Sequence, residues 1–472
     1  MVFWFEKFKK SLPPKILLIN PPYQRLRNML SEQMPMGLLY LAGTLNKNGF
    51  ETKVLNLEEP EIGESLQSGY VNSFENYYTY LENKNNHDHP AWKELKNYLT
   101  AYQPDIVGFS VMTPYYSLAL DMASFVRKQI KALIVFGGPH PTICPEQVAQ
   151  NECVDVVVVG EGEKVLLELA KNFTPHNRNF LYKIPSLFFF DQERINHTQL
   201  IPLQSNLDVL PPPDYNALVK PEPSSLADRF GVITGRGCPY RCNFCIDNLL
   251  WRGKSRFRSA ESIVMEIKTL VSEFGLRTLF FQQDSFLNKK NLAISVAKKI
   301  IDEKLGLQWW CAARVDQIDH ESIQIFKESG LTNIILGIES GNQKVLEMMN
   351  KKITIAQIEK AVKILKTNGI YASAFFMIGL PDETESQIRE TMLFMQKLQL
   401  DFVSLSVFTP FPGSPLFTRC EELNLIDKNV DWSMFDYQSP ENYFCGQIAR
   451  ERFKELVQEA SALADQLNRK KT

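Results

Sequence analysis

The chain has 472 residues, enough for about three domains and for a large core built without disulfide staples. With 52 Lys and Arg against 54 Asp and Glu it is nearly neutral, which argues against a generic polyanion binder and for no nucleic-acid partner. At 44% hydrophobic and 22% charged residues, with no apolar run of about 18, it reads as globular and without a transmembrane helix.

Met1–Lys10 (MVFWFEKFKK) lacks the long apolar stretch and small-residue cleavage site of a secretory signal, so a cytoplasmic location is expected. Its mixture of aromatic residues and lysines also allows peripheral contact with a membrane. From Lys15 to about Ala170, five runs rich in Val, Ile and Leu (15–20, 51–57, 105–110, 132–137 and 154–160) alternate with helical spacing such as Met36–Asn48 and Tyr115–Ile130. Continuous apolar strands separated by helices predict a parallel sheet covered on both faces, hence a doubly wound domain of Rossmann or flavodoxin type over 1–170. Residues 60–100, polar and rich in aromatics, break the rhythm and read as an inserted helical lid or interaction surface.

Residues 171–228 lose the alternation. A strand pair around 186–190 and 197–200 precedes Leu210-Pro-Pro-Pro-Asp214 and Lys220-Pro-Glu-Pro223, a proline density expected of a linker. A second βα series follows, with strands at 232–235, 277–282, 307–313, 333–338, 371–378 and 402–409, which predicts a partial (β/α)6 barrel over 229–420. Ser259 is placed to cap the helix carrying Ile263, Ile267, Leu270, Val271 and Phe274 on one face. Residues 421–472 read as a small helical region anchored by Trp432, Phe435 and Tyr437. The fold class is therefore α/β throughout.

Three of the eight cysteines, Cys238, Cys242 and Cys245, fall in one loop after the first strand of the second series. Structural zinc takes four ligands, commonly from paired C-x2-C units, and no second pair exists here. Three thiolates suit an iron–sulfur cubane with one iron left open to another ligand. Gly235 and Gly237 permit a tight backbone, and Phe244 sets a flat ring beside the last thiol. The basic run Trp251–Arg258 behind the loop reads as structural in preference to phosphate-binding. Strand ends in βα barrels carry active sites, and here they present Gln282-Gln-Asp284, Arg314, Glu339-Ser-Gly341 and Gly379-Leu-Pro381.

The C-x3-C-x2-C loop, with an aromatic residue before its third cysteine, resembles the signature of the radical S-adenosylmethionine (SAM) enzymes. The resemblance implies that Cys238, Cys242 and Cys245 hold a [4Fe–4S] cluster whose open iron chelates SAM, with Phe244 beside it. It further implies Asp284 at the SAM amino group, Arg314 at its carboxylate, Glu339 at the ribose and Gly379 near the adenine. Each has a second reading: Asp284 or Glu339 as a helix cap, Arg314 paired with Asp316.

Ahead of the loop, Asn20-Pro21-Pro22, Met34-Pro-Met-Gly37, Gly137-Gly138-Pro-His140 and Gly160-Glu161-Gly-Glu163 resemble the cobalamin-binding subfamily of these enzymes, over roughly 15–420. No G-x-G-x-x-G follows the first strand, which argues against a dinucleotide site. By resemblance the cobalamin site takes Asn20, Pro21, Ser110, Thr113, Gly137, Gly138, His140, Gly160 and Glu161. The D-x-H-x-x-G motif is absent and His140 sits between two prolines, so cobalt is expected without a histidine from the protein. The implied activity begins with a 5′-deoxyadenosyl radical and ends in methylation of an unactivated carbon on a small molecule or lipid. An external one-electron reductant of flavodoxin or ferredoxin type is also implied. Two alternatives stand beside it: a cobalamin-dependent radical cyclase, oxidase or rearrangement enzyme, and a cobalamin-binding sensor with an inactive barrel. A methylthiotransferase would need three further cysteines upstream, where only Cys144 and Cys153 occur.

Overall fold

The structure, a computed structural model, describes residues 13–469 apart from 32–33, 61–63, 65, 67–73, 176, 221–229, 283–285, 428–429, 431, 433–434, 437–438 and 440. The first sheet has strands β1 (Ile16–Asn20), β2 (Thr52–Asn56), β3 (Ile106–Ser110), β4 (Leu133–Gly137), β5 (Val156–Val158), β6 (Leu187–Asp191) and β7 (Arg194–His197) in the order β2-β1-β3-β4-β5-β6-β7. Its first five strands are parallel, in the flavodoxin-like order. Along β1, Ile16 and Leu18 enter one apolar core while Leu17 and Ile19 enter another, which is why the strand reads as unbroken hydrophobicity.

Two expectations change here. The stretch read as a linker contains β6 and β7, an antiparallel hairpin that hydrogen-bonds to β5 and extends the sheet, so a boundary at 170 cuts this sheet. Antiparallel addition to an edge strand needs only a short loop and leaves no βα rhythm to read. The insertion at 60–100 is not simply a lid. Helix Pro90–Tyr102 buries Trp92, Leu95 and Leu99 against the sheet and packs on helix Tyr116–Gln129. Because β2 and β3 flank β1, the chain must cross β1 between them, and this helix makes the crossover.

A two-stranded ribbon, β9 (Gly235–Arg236) with β10 (Arg256–Phe257), carries the cysteine loop at its tip. The second sheet contains β8 (Phe230–Val232), β11 (Thr278–Phe281), β12 (Gln308–Ala313), β13 (Leu331–Glu339), β14 (Tyr371–Ile378) and β15 (Phe402–Val407). These are all parallel, in the consecutive order expected of a partial barrel. Ser259 caps helix Ala260–Phe274 by accepting from Ser262 N at 3.1 Å, and Gly275 ends it at φ 67°.

The C-terminal region is less helical than expected. Helix Arg450–Arg469 lies over β15, and the described residues between Leu423 and Ala449 are irregular apart from short turns. Asn468 accepts from Val403 N at 2.8 Å and donates to Val403 O at 3.0 Å, satisfying the edge that an open barrel exposes. Trp432 and Phe435 are buried as expected; Tyr437, like Met1–Lys10, lies outside the described residues. No helix among the described residues is long and apolar enough to cross a membrane.

Candidate active site

The cysteine loop turns sharply at Gly237, where φ is 89° and a Cβ would stand 2.2 Å from Lys254 O. All three loop cysteines are of intermediate exposure and in no disulfide, with Cys245 N donating to Cys242 O at 3.1 Å and Cys245 Sγ accepting from Asp247 N at 3.4 Å. Among the described residues no three Cys, His, Asp or Glu side chains converge on single-ion geometry. In a cubane each thiolate takes a different iron, so its cysteine sulfurs need not meet at one point.

The loop is clamped to the barrel by Met348–Lys351, a segment that sequence reasoning missed. Asn243 N donates to Met349 O at 2.9 Å, Asn243 Nδ2 to Met348 O at 2.8 Å, and Asn350 Nδ2 to Arg241 O at 2.6 Å. Asn350 and Lys352 adopt left-handed φ of 52° and 54° around Lys351, turning its side chain inward. Its Nζ donates to Glu339 Oε1 at 2.7 Å and lies 5.6 Å from the centre of the Phe244 ring. A Cβ on Gly337 would stand 3.0 Å from that ammonium, so glycine keeps the space open. Glu339 itself holds φ 72°, after an irregularity of register in β13. Burial pushes the Cys242 thiol up, while Lys351 and Arg314 pull it down. These cations therefore stand within electrostatic reach of the loop.

The expected SAM residues meet different fates. Phe244 and Glu339 come together through Lys351. Arg314 is 5% exposed and already occupied: Nε and Nη2 donate to Asp316 at 3.1 Å each, Nη2 donates to Lys351 O at 2.8 Å, and the guanidinium lies 3.6 Å from the Tyr240 ring centre. Its pairing with Asp316 is the second reading given for it, and Lys351, itself paired with Glu339, is the cation nearer Phe244. Gly379, at φ 92°, donates from N to Glu383 Oε2 at 2.6 Å, and its Cα faces the Phe453 ring so closely that a Cβ would stand 2.4 Å away. This places it in a buried turn under the C-terminal helix. Asp284 lies outside the described residues.

At the carboxyl ends of the first sheet, Asn20 Nδ2 donates to Asn56 Oδ1 at 2.8 Å, Pro21 is buried and Ser110 is partly exposed. Gly137 has open space beside it, with only Val158 at 3.9 Å from an added Cβ. Gly138 (φ 106°) and Gly160 (φ 85°) turn the chain away, and Met112 is 47% exposed beyond β3. Gly137 thus leaves open space at the end of β4, whereas Gly138 packs on the Val111 backbone and the Arg252 side chain reaches Gly160. His140 is fully buried, its ring 4.3 Å from Tyr116 and 5.3 Å from Trp432, with Nδ1 at 3.3 Å from Thr113 Oγ1. Burial depresses its imidazole to about 4.

Glu161, expected at a ligand, is instead consumed by ion pairs between the two units. It accepts from Arg236 Nη1 at 2.7 Å, from Arg256 Nη1 at 2.9 Å and from Gln204 N at 2.6 Å, while Arg236 also pairs with Glu163. Burial raises its carboxyl, but Arg236 and Arg256 outweigh that and hold it below the usual range. Arg258 likewise pairs with buried Glu266, so the basic run behind the cysteine loop is structural.

The radical SAM superfamily model matches residues 232–395, and the B12 binding domain model matches 26–170. The chain is 29% identical over 431 residues to an uncharacterized methyltransferase of Pyrococcus horikoshii, covering 90% of this chain and 87% of that one. It is 30% identical over 368 residues to the anaerobic magnesium-protoporphyrin IX monomethyl ester cyclase of Cereibacter sphaeroides, covering 75% of this chain and 58% of the cyclase. Among solved structures, the radical SAM methyltransferase TsrM from Kitasatospora setae, with cobalamin and a [4Fe–4S] cluster bound, shares the fold. Its TM-score is 0.71 at 18% identity, over 95% of this chain and 89% of that one.

Proposed function

The chain belongs to the radical SAM superfamily, in the group that carries a B12 binding domain ahead of the barrel, and from this we propose a cobalamin-dependent radical SAM methyltransferase acting on a carbon centre of a small molecule. One observation carries the reading: the strand ends of the two sheets meet across the cysteine loop. Helix Asp247–Leu250, directly after Cys245, packs on helix Pro139–Ile143 at the end of β4, and Leu249 and Ile143 both approach Gly413.

The residues present fit the three groups. Three cysteines in one half-buried loop, none in a disulfide and with two cations nearby, suit a [4Fe–4S] cluster. Lys351 and Glu339 beside Phe244 supply a cation and an anion for the zwitterionic end and the ribose of SAM. The open space beside Gly137, with the partly exposed Ser110 and Asn20 at neighbouring strand ends, would admit the edge of a planar macrocycle. When bound, the cluster and SAM supply radical chemistry and cobalamin supplies a methyl group. The chain's own residues orient and seal. Lys351 is held by Glu339, Arg314 is fixed by Asp316, and the Glu161 ion pairs lock the cysteine ribbon to the first sheet. Trp432 and Phe435, packed against His140 and Phe444, exclude water from the junction. In this reading the first sheet with its hairpin holds cobalamin, residues 229–420 hold cluster and SAM, and a flavodoxin- or ferredoxin-type donor delivers the electron.

The test is anaerobic reconstitution with isotopically labelled SAM against panels of small molecules and lipids. Label transferred to carbon, with S-adenosylhomocysteine and 5′-deoxyadenosine formed together, supports methylation. 5′-Deoxyadenosine alone would favour the cyclase-like reading, to which the Cereibacter sphaeroides relative gives weight.

A further inference from the structure

Arg25 and Arg27 lie two residues apart after β1, both 1% exposed, and their guanidinium groups differ in one respect. Arg25 is saturated. Its Nε and Nη2 donate to Glu64 Oε2 at 3.0 and 2.6 Å, and Nη1 donates to Glu94 at 2.8 Å and to Leu57 O at 3.1 Å. Arg27 repeats half of this pattern: Nη1 donates to Asp436 Oδ2 at 2.7 Å, an oxygen that also accepts from Tyr23 OH at 2.7 Å. Its Nε and Nη2, the edge that Glu64 fills on Arg25, are buried and have no hydrogen-bond partner. A charged donor left unsatisfied in the interior is costly. Both N–H groups of that edge point the same way, in the fork geometry that matches two oxygens of a carboxylate or phosphoryl group.

Asp436, the partner of Arg27, links residues beyond the ends of both sheets. Tyr23, which orients Asp436, packs 4.5 Å from Tyr115 just beyond β3. On the other side Asp436 O accepts from Asn442 Nδ2, which also donates to Thr409 Oγ1 at 2.8 Å just beyond β15. Asn442 Oδ1 and Trp432 Nε1, on the same tail segment, are also buried without partners.

We propose that the Nε/Nη2 edge of Arg27 is a recognition point for an oxyanion, a carboxylate or phosphoryl group, on a molecule held between the two strand-end surfaces. The inference rests on the proposed function only for the identity of the carrier. That carrier is either an acidic substrate or the phosphodiester in the nucleotide tail of cobalamin.

The test measures binding, not turnover, so its failure leaves the methyltransferase reading standing. Inorganic phosphate is titrated calorimetrically into full-length protein free of cobalamin. Wild type is expected to bind, and Arg27→Met to bind at least about tenfold more weakly. Asp436→Asn keeps the edge and removes a competing negative charge, so it should bind at least as tightly as wild type. This variant keeps the proposal testable if Arg27→Met does not fold. Titrations repeated with cobalamin or with cobinamide, which lacks the nucleotide tail, identify the carrier. Phosphate binding lost with cobalamin but kept with cobinamide supports the site and assigns the phosphodiester to Arg27. Binding kept with both supports the site and assigns it to an acidic substrate. Equal phosphate affinity in wild type and Arg27→Met overturns the proposal, as does absence of binding in both wild type and Asp436→Asn.

Discussion

Lys351 Nζ donates to Glu339 Oε1 at 2.7 Å, joining the loop after one barrel helix to the end of the fourth barrel strand directly beneath Phe244. Both side chains are at least nine-tenths buried, so the ammonium has few other places to go. Lys351→Met should weaken SAM binding about tenfold or more, the loss expected for one charge-assisted contact in a dry site. Lys351→Arg should recover most of it. The measurement is a SAM titration followed by electron paramagnetic resonance of the reduced cluster. An unchanged titration in Lys351→Met would return the carboxylate to Arg314.

The eight cysteines divide by environment as well as by spacing. Cys311 is fully buried on β12, and burial drives its thiol far above the neutral range; Cys445 is pushed up to about 11. Neither offers a thiolate at neutral pH. Alanine at Cys238, Cys242 or Cys245 should therefore abolish cluster assembly, read as iron and sulfide content after anaerobic reconstitution. Cys311→Ala and Cys445→Ala should retain it. Full iron loading in Cys242→Ala would remove the cluster assignment.

Glu161 is one carboxylate shared by two arginines from the opposite unit, Arg256 buried and Arg236 nearly so. Glu161→Gln keeps the shape and leaves Arg236 and Arg256 undercompensated, so the loss should be roughly 3 kcal/mol or more. Denaturant titration should show a lower midpoint, and limited proteolysis faster cutting near the ribbon. A variant as stable as wild type would show that the network is a surface-like pair of little worth.

The sequence made some of this readable and hid the rest for physical reasons. Chemistry confined to one short segment was readable: the cysteine spacing, the Ser259 cap and the βα rhythm all lie within a few residues. Relationships across distance were not. Lys351 stands in an ordinary Lys-Lys pair twelve residues beyond Glu339, and only the two left-handed residues beside it turn it inward. Glu161 sits in a G-E-G-E turn that resembles a ligand loop, yet its arginines come from the second unit. The helix at 90–102 could not be read as a crossover without knowing that β1 lies between β2 and β3. Asp284 lies outside the described residues, so its reading rests on sequence alone.

His140 is walled in by Tyr116, Trp432 and Thr113. The Co(II) form of the cobalamin-loaded protein should consequently show no nitrogen superhyperfine splitting from the protein. Splitting that disappears in His140→Phe would demand a rearranged loop between β4 and helix Pro145–Ala149.

Glu383 gives the fold a pH dependence of definite sign. Its carboxyl is fully buried in the turn after β14, with Oε2 accepting from Gly379 N at 2.6 Å and Leu380 N at 3.1 Å and with Oε1 unpartnered. Burial, opposed by those two N–H groups, pushes it up to about 7. In the unfolded chain the same carboxyl titrates near about 4.3. Between these values the folded state binds the extra proton, so stability is greatest below about pH 4.3 and falls as pH rises through about 7. Glu58, also raised to about 7 by burial, acts in the same direction. His140 acts oppositely: depressed to about 4, it contributes stability that is lost as pH falls from about 6.5. Glu383→Gln retains an oxygen for both N–H groups and never ionises. Its stability should therefore fall less than that of wild type between pH 5 and 7.5, by up to roughly 3 kcal/mol. Denaturant midpoints measured across that range decide it. Parallel pH profiles for the two proteins would mean that Glu383 carries no such proton.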